Sequence, residues 1–344
     1  MHALLCLLML VVSDSTQAID RGGPAGASSG DAADHASLVK PFEYDSAAPL
    51  DIEETGLDEI IEYGAVIHHV TFASPVEGRI TASLVVPKAA DAAGNGPRSP
   101  RYAGIVFMHW GQGNRTEFLW EAALYAKAGA VSISIDAPWA RPAPWTQASE
   151  GRVDQPELLT RMYAQTVIDI RRAADLLIAR GDVDPGRIAY VGHSFGATWG
   201  GVLAGVDKRF RTFILMGGLP TLADLSPQGL PSMDAYSETL KRYLTAEQLK
   251  NYVDALAPMS GAAFIGHAAP ASILMQFARF DSWISKKAAE TYFDAASEPK
   301  EIRWYPTSHE FGDPGALADR ARWLEKEIGI TGAVSTLGDP AHAQ

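Results

Sequence analysis

Short β-type runs and longer amphipathic segments alternate along most of the chain. Runs at residues 66–72 and 80–86 flank a Ser-Pro-Val-Glu-Gly turn, a pattern that predicts a β-hairpin. Further short runs predict buried strands at residues 105–108, 131–135, 188–191, 213–216, 273–277 and 301–304. Helical patterns separate them at residues 116–127, 154–180, 195–203, from 285 onward and at 315–328. Repeated β-then-α units predict an α/β fold, with a mostly parallel sheet and helices on both faces.

Three segments depart from this alternation. Residues 219–265 follow the sixth predicted strand, are rich in proline and contain an amphipathic stretch at 237–256. This insertion could be a cap that narrows a site, or a surface excursion. The Gly-, Ala-, Ser- and Asp-rich residues 19–40 predict a disordered lead-in, and residues 331–344 predict a loose tail. Residues 41–330 are therefore expected to form one α/β domain.

The N-terminus carries a candidate export signal. Residues 3–12 form an unbroken apolar run that is too short to span a bilayer as a helix. Thr16 and Ala18 supply small residues at the −3 and −1 positions of a cleavage site, so residues 1–18 are predicted to be a signal peptide of an exported protein. No Lys or Arg precedes the run, which leaves a longer signal or an apolar N-terminal helix as alternatives. No later segment is apolar enough to be a membrane anchor.

Composition and motifs exclude several classes of function. The 344 residues are 47% hydrophobic and 20% charged, which excludes a disordered, collagen-like or coiled-coil chain. A net charge of −12 without any basic run argues against nucleic-acid binding. Cys6 is the only cysteine, which excludes a disulfide framework. No zinc, phosphate-loop or dinucleotide motif is present, so no metal or nucleotide cofactor is expected.

The segment Gly192-His193-Ser194-Phe195-Gly196 carries the clearest chemical signal. It lies where a predicted strand meets a predicted helix, which is the context that a G-x-S-x-G nucleophile elbow requires. So tight a turn lifts Ser194 above the sheet and needs residues without bulk two positions before and after it. The amide of Phe195 opens the helix and points to where an oxyanion would form. The pattern favours a catalytic Ser194 over a structural turn.

With this elbow the chain resembles the α/β-hydrolase superfamily, in particular its dienelactone hydrolase and acetyl xylan esterase branch, over roughly residues 60–328. The resemblance is carried by the elbow, the Asp136 segment and residues 104–113, 271–281 and 305–309. It implies that His309, which follows the last strand, is the base, in the order Ser…Asp…His that this fold uses. It implies Asp281 as the acid, with Asp136 and Asp313 as weaker rivals.

The resemblance also implies an oxyanion loop at residues 109–113. Relatives usually read His-Gly-Gly or His-Gly-x-Gly there, so Trp110 is a departure from the pattern. Matching on His109 makes the amide of Gly111 the expected second oxyanion donor beside that of Phe195. The amides of Trp110 and Gln112 are the alternatives.

Together these residues predict a serine hydrolase that acts on a small-molecule carboxylic ester through an acyl-enzyme. The loop at residues 137–153 carries Trp139 and Trp145, which with Trp110 could line a substrate pocket; equally, the loop tryptophans could pack the loop onto the body. A peptidase related to prolyl oligopeptidase is one alternative, although 344 residues leave no room for a propeller domain. A non-catalytic binding protein on the same fold is the other.

Overall fold

A computed structural model describes residues 35–91, 102–147 and 153–337. The expectations for the export signal at residues 1–18, for most of the lead-in and for the last residues of the tail lie outside these ranges.

A nine-stranded sheet forms the centre of the described chain. Its strands are β1 Glu53–Ile60, β2 Ala65–Ala73, β3 Arg79–Pro87, β4 Tyr102–Met108, β5 Ala130–Ile135, β6 Val183–His193, β7 Phe210–Met216, β8 Ser272–Ala278 and β9 Lys300–Tyr305. They are ordered β1-β2-β3-β5-β4-β6-β7-β8-β9 across the sheet. The first three strands run antiparallel to their neighbours, and β4 to β9 are all parallel. The predicted hairpin and mostly parallel sheet are confirmed.

Seven helices of nine or more residues accompany the sheet in the described ranges. They are α1 Leu119–Lys127, α2 Pro156–Ala179, α3 Phe195–Val206, α4 Pro231–Tyr243, α5 Ala246–Leu256, α6 Lys286–Ala295 and α7 Pro314–Ile328. Because side chains alternate along a strand, β6 contributes Ile188 and Tyr190 to one core and Ala189 and Val191 to the other. Helices α2 and α3 cover the first face, and α1 and α7 cover the second. The α/β-hydrolase fold with helices on both faces is thus as predicted.

The structure corrects several details of the prediction at the two ends of the domain. Strand β1 was missed because it is exposed at six of its eight positions and shows no apolar alternation. Its presence makes the insertion at residues 219–265 follow the seventh strand. In the predicted lead-in, residues 35–39 are helical, and Leu38 and Val39 pack against the core. In the predicted tail, residues 333–337 form a short helix that buries Ala333.

The long helix α2 begins two residues later than its predicted start at residue 154. The helix instead starts at Pro156, and the residue before it, Gln155, makes no side-chain capping hydrogen bond. Proline is well suited to this first position because its fixed φ fits the helix and its missing amide proton has no partner to lose there.

Candidate active site

Ser194 stands alone between the end of β6 and the start of α3. Its φ of +52° and ψ of −105° lie where a non-glycine residue is strained. The turn is tight enough that a Cβ on Gly196 would lie 2.3 Å from the carbonyl oxygen of Met108. A Cβ on Gly192 would lie 2.6 Å from the carbonyl group of Gly196. Both contacts are with backbone that cannot give way, so only glycine fits two positions before and two positions after the serine.

The structure brings Ser194, His309 and Asp281 into one hydrogen-bonded chain. His309 Nε2 lies 2.7 Å from Ser194 Oγ, and His309 Nδ1 lies 2.8 Å from Asp281 Oδ2. An ionised carboxylate can only accept, so Nδ1 carries the proton and Nε2 is left to accept from the serine hydroxyl. His309 and Asp281 are buried, with 6% and 9% of their surface exposed.

Asp281 is held by its own loop. Its second carboxylate oxygen accepts hydrogen bonds from the amides of Trp283, at 2.7 Å, and Ile284, at 3.0 Å. These two bonds aim the other oxygen at His309. The loop between β8 and α6 therefore fixes the direction in which the imidazole points.

The rival carboxylates are engaged elsewhere. Asp136 accepts hydrogen bonds from the hydroxyl of Thr81 at 2.5 Å and from the amide of Arg115 at 2.7 Å, and its carboxylate pairs with the Arg115 guanidinium. Asp313 caps α7 by accepting from the amide of Ala316 at 3.0 Å. Neither contacts His309, so the structure places Asp281 alone of the three against the imidazole.

The loop after β4 approaches the start of α3. A Cβ on Gly111 would lie 3.9 Å from that of Phe195, so the backbones of the two proposed oxyanion donors are neighbours. The indole of Trp139 donates to the carbonyl oxygen of Gly111 at 2.8 Å and holds the loop in place. The amide of Trp110, an alternative donor, is already bonded to the carboxylate of Glu117 at 2.9 Å. This arrangement favours Gly111 over Trp110.

His109, at the start of the same loop, has a structural role. It is fully buried; its Nδ1 donates to the carbonyl oxygen of Trp110 at 2.6 Å, and its Nε2 accepts from the amide of Ala137 at 3.0 Å. Burial lowers the pKa of His109, which keeps the ring in the neutral form that this bonding pattern requires. The ring thus ties the oxyanion loop to the loop after β5.

His193 and Glu117 form a link that no motif predicts. His193 Nδ1 lies 2.6 Å from Glu117 Oε1, and its Nε2 donates to the carbonyl oxygen of His309 at 2.7 Å. The other oxygen of Glu117 is the one that accepts from the Trp110 amide. Glu117 belongs to no motif and precedes α1 by two residues. Its role is visible only in the folded chain, where the loops after β4 and β9 meet at the end of β6.

A cavity of about 370 Å³ opens over Ser194 and His309. Trp110 and Trp139 line it, as the sequence suggested. Trp145 does not: it packs over Gly78, 3.4 Å from where a Cβ of that residue would lie. The remaining wall residues were not predicted, because none of them belongs to a motif: Tyr163, Thr198, Gly217, Leu219, Leu222, Met233, Tyr236, Trp283 and Ile284.

The insertion supplies one wall of this cavity. Leu219, Leu222, Met233 and Tyr236 all face it. The start of α4 is tied to the loop of Asp281, because the amides of residues 232 and 233 both donate to the carbonyl oxygen of Ser282 at 3.2 Å. The insertion thus lies over the site.

Two further features are absent from the described residues. No group of three His, Cys, Asp or Glu side chains there is placed to hold a metal ion. No helix in those ranges has the length and apolar character needed to cross a bilayer.

Comparison with known proteins shows which fold the chain has. No protein-family model matches the sequence, and no curated protein matches it. Among solved structures, an acetyl xylan esterase from Paenibacillus sp. R4 aligns with a TM-score of 0.68 and 19% identity, over 89% of this chain and 97% of that one. Acetyl xylan esterase 1 from Thermoanaerobacterium sp. JW/SL YS485 aligns with a TM-score of 0.63 and 14% identity, over 87% of this chain and 94% of that one. An S-formylglutathione hydrolase from Agrobacterium tumefaciens aligns with a TM-score of 0.58 and 14% identity, over 80% of this chain and 100% of that one. The chain therefore has the α/β-hydrolase fold.

Proposed function

We propose that this protein is a serine hydrolase that cleaves carboxylic esters of small molecules through an acyl-enzyme. One observation carries the proposal. The chain of hydrogen bonds from Asp281 through His309 to Ser194 is complete, and it ends on a strained serine at the floor of a cavity. Strain of this kind persists where the surrounding structure holds it for a function. The solved structures of similar fold are esterases and hydrolases, which agrees with this chemistry.

The proposed reaction has two halves. Ser194 Oγ attacks the ester carbonyl while His309 Nε2 takes its proton, and the bond to the alcohol breaks as His309 returns that proton to the leaving oxygen. Water then attacks the acyl-serine, His309 takes a proton from the water, and Ser194 recovers it as the acid leaves. Asp281 keeps His309 in the required tautomer and stabilises its charged form. The amides of Phe195 and Gly111 bind the oxyanion in both halves.

The alternatives fit the site less well. A non-catalytic binding protein would have no need to keep three polar groups aligned at 2.7 to 2.8 Å around a strained serine. A peptidase needs room at the site for a chain on both sides of the scissile bond, whereas the insertion lies over this cavity. Ester hydrolysis is therefore the function that we put forward.

Turnover of p-nitrophenyl esters, measured beside peptide p-nitroanilides, tests the proposal. We expect the esters to be hydrolysed and the anilides to be inert, and we expect Ser194→Ala to abolish the ester activity without lowering the melting temperature. Anilide cleavage without ester cleavage would favour the peptidase. Unchanged ester turnover by Ser194→Ala would contradict the assigned nucleophile.

A further inference from the structure

We infer that the cavity is an acyl pocket for a neutral, apolar acyl group larger than acetyl. This inference rests on the proposed ester hydrolysis and adds the class of acid released. The cavity measures about 370 Å³, which is more than twice the roughly 150 Å³ of an apolar cavity that takes up benzene. Part of this volume, beside Trp283, is available to the alcohol, and an acetyl group would fill little of the rest.

The position of His309 decides which end of an ester enters the cavity. The leaving alcohol must lie beside His309 Nε2, because that atom returns the proton to it. Trp283 stands on this side, with its ring centroid 6.5 Å from that of His309. Trp283 is also 36% exposed, so the alcohol leaves toward solvent. The acyl group must then extend the other way, from Ser194 toward Phe195.

Aromatic and aliphatic side chains line the Phe195 side. The ring of Phe195 meets Trp139 edge to face with centroids 4.7 Å apart, and its centroid is 5.3 Å from that of Tyr163. Leu222 of the insertion adds aliphatic surface beside them, since it packs against the same hydrophobic cluster as Trp139 and Tyr163. Such a lining stabilises an apolar group by removing it from water.

Charge is missing from the cavity wall in the described residues. His309 is the only His, Asp, Glu, Lys or Arg among the described residues of the wall, and its ring is hydrogen-bonded to Asp281. Burial raises the pKa of Tyr163 and Tyr236, so both phenols stay neutral, and the hydroxyl of Tyr236 is 2.9 Å from that of Tyr252. A carboxylate on the acyl chain would lose its water without gaining a cation, which is costly. The pocket therefore selects against charged acyl groups.

A series of p-nitrophenyl esters with one leaving group tests the inference. We expect kcat/KM to rise from acetate to butyrate to hexanoate, by up to about fourfold for each added methylene. The hemisuccinate, which is similar in length to butyrate but ends in a carboxylate, should be a poorer substrate than butyrate. Leu222→Trp, which fills part of the cavity, should lower the ratio of kcat/KM for hexanoate to that for acetate by about tenfold.

The matched control is Leu57→Trp, the same substitution at a side chain that is 59% exposed on the edge strand β1. It should leave the hexanoate-to-acetate ratio as in the native protein. A preference for acetate over butyrate, with all esters still cleaved, would overturn the acyl-pocket inference while the proposed function stands. Failure to cleave any ester would overturn the proposed function itself.

A second inference rests on separate contacts: we propose that Glu117 and His193 are positioning residues for catalysis. Through its two carboxylate oxygens, Glu117 holds the amide of Trp110 in the oxyanion loop and the ring of His193. His193 in turn donates to the backbone carbonyl of His309. The pair thus fixes the distance between the oxyanion loop and the catalytic imidazole. Neither side chain lines the cavity.

Glu117→Ala should therefore lower kcat by about 10- to 100-fold, the usual cost of losing hydrogen bonds to a charged group, while KM changes little. Glu117→Gln should recover most of kcat, because its carbonyl can accept from Trp110 and its amide can donate to a neutral His193. Glu290→Ala, at a side chain that is 54% exposed, is the control and should keep native kinetics.

Two results would contradict this role. One is native kcat in Glu117→Ala. The other is a Glu117→Gln variant that is as slow as Glu117→Ala, since the same hydrogen bonds would then be without effect. Rates normalised to titrated active sites separate slower chemistry from a smaller folded fraction.

Discussion

At the scale of single residues, neighbouring groups set the tautomer and orientation of each proposed catalytic side chain. His309 has its tautomer set by Asp281, and Asp281 has its orientation set by two amides of its own loop. Glycine is required at positions 192 and 196, two residues before and after Ser194, because the backbone of the elbow leaves no room for a Cβ there. The motif and the chain order were enough to predict Ser194, His309 and Asp281. Glu117 was not predictable, because its partner His193 lies 76 residues away in the sequence.

Asp281→Asn should lower kcat by about 10⁴ while the protein stays folded. An amide nitrogen facing His309 favours the tautomer with its proton on Nε2, and that ring cannot accept the serine proton. Asp136→Asn should act differently and lower the melting temperature, because Asp136 is fully buried against Arg115 and Thr81. Ester kinetics and thermal unfolding of both variants check this. A folded but inactive Asp136→Asn beside an active Asp281→Asn would reverse the assignment.

At the scale of elements, the site depends on how closely α3 meets the strands beside β6. The parallel strands of the sheet were predictable from their apolar runs, although their observed ends differ from the predicted ones. Strand β6, for example, begins at Val183 rather than at residue 188. Strand β1 was not predicted because its side chains are mostly exposed and show no strand pattern. It forms through backbone pairing with β2. The cavity wall that the insertion forms could not be predicted for a similar reason. Its contacts with the site are between segments that are distant in sequence.

Gly196→Ala tests this close packing. Its Cβ would press on the carbonyl oxygen of Met108, so we expect a loss of about 1–3 kcal/mol in the free energy of unfolding, together with a loss of activity. Gly312→Ala is the matched control, since a Cβ there meets nothing within 4 Å. Urea unfolding and ester turnover measure both effects. Equal stability of the two variants would contradict the packing argument.

At the scale of the whole molecule, the same fold is shared at 14% to 19% identity with the solved esterases and hydrolases described above. This is possible because the alternation of buried positions on the two sheet faces specifies the architecture, and many apolar residues satisfy it. The repeated β-then-α rhythm was therefore sufficient to predict the sheet and its two layers of helices. The shape of the cavity was not predictable, because it depends on residues from several separate segments of the chain.

Export of the protein stays a prediction, since residues 1–18 lie outside the described ranges. The apolar run and the small residues at Thr16 and Ala18 lead us to expect a mature N-terminus near Ile19. Mass spectrometry of the protein isolated from its native host measures this directly. Recovery of intact residues 1–18 on cytoplasmic protein would contradict it.

The central claim is that Ser194 is a nucleophile activated by His309, and covalent labelling tests it most directly. A fluorophosphonate reacts with an activated serine and stays attached, so peptide mass spectrometry identifies the residue that carries it. We predict one label per chain, on Ser194, no label in Ser194→Ala, and much slower labelling in His309→Ala. Labelling of another residue, or none in a folded native protein, would contradict the account.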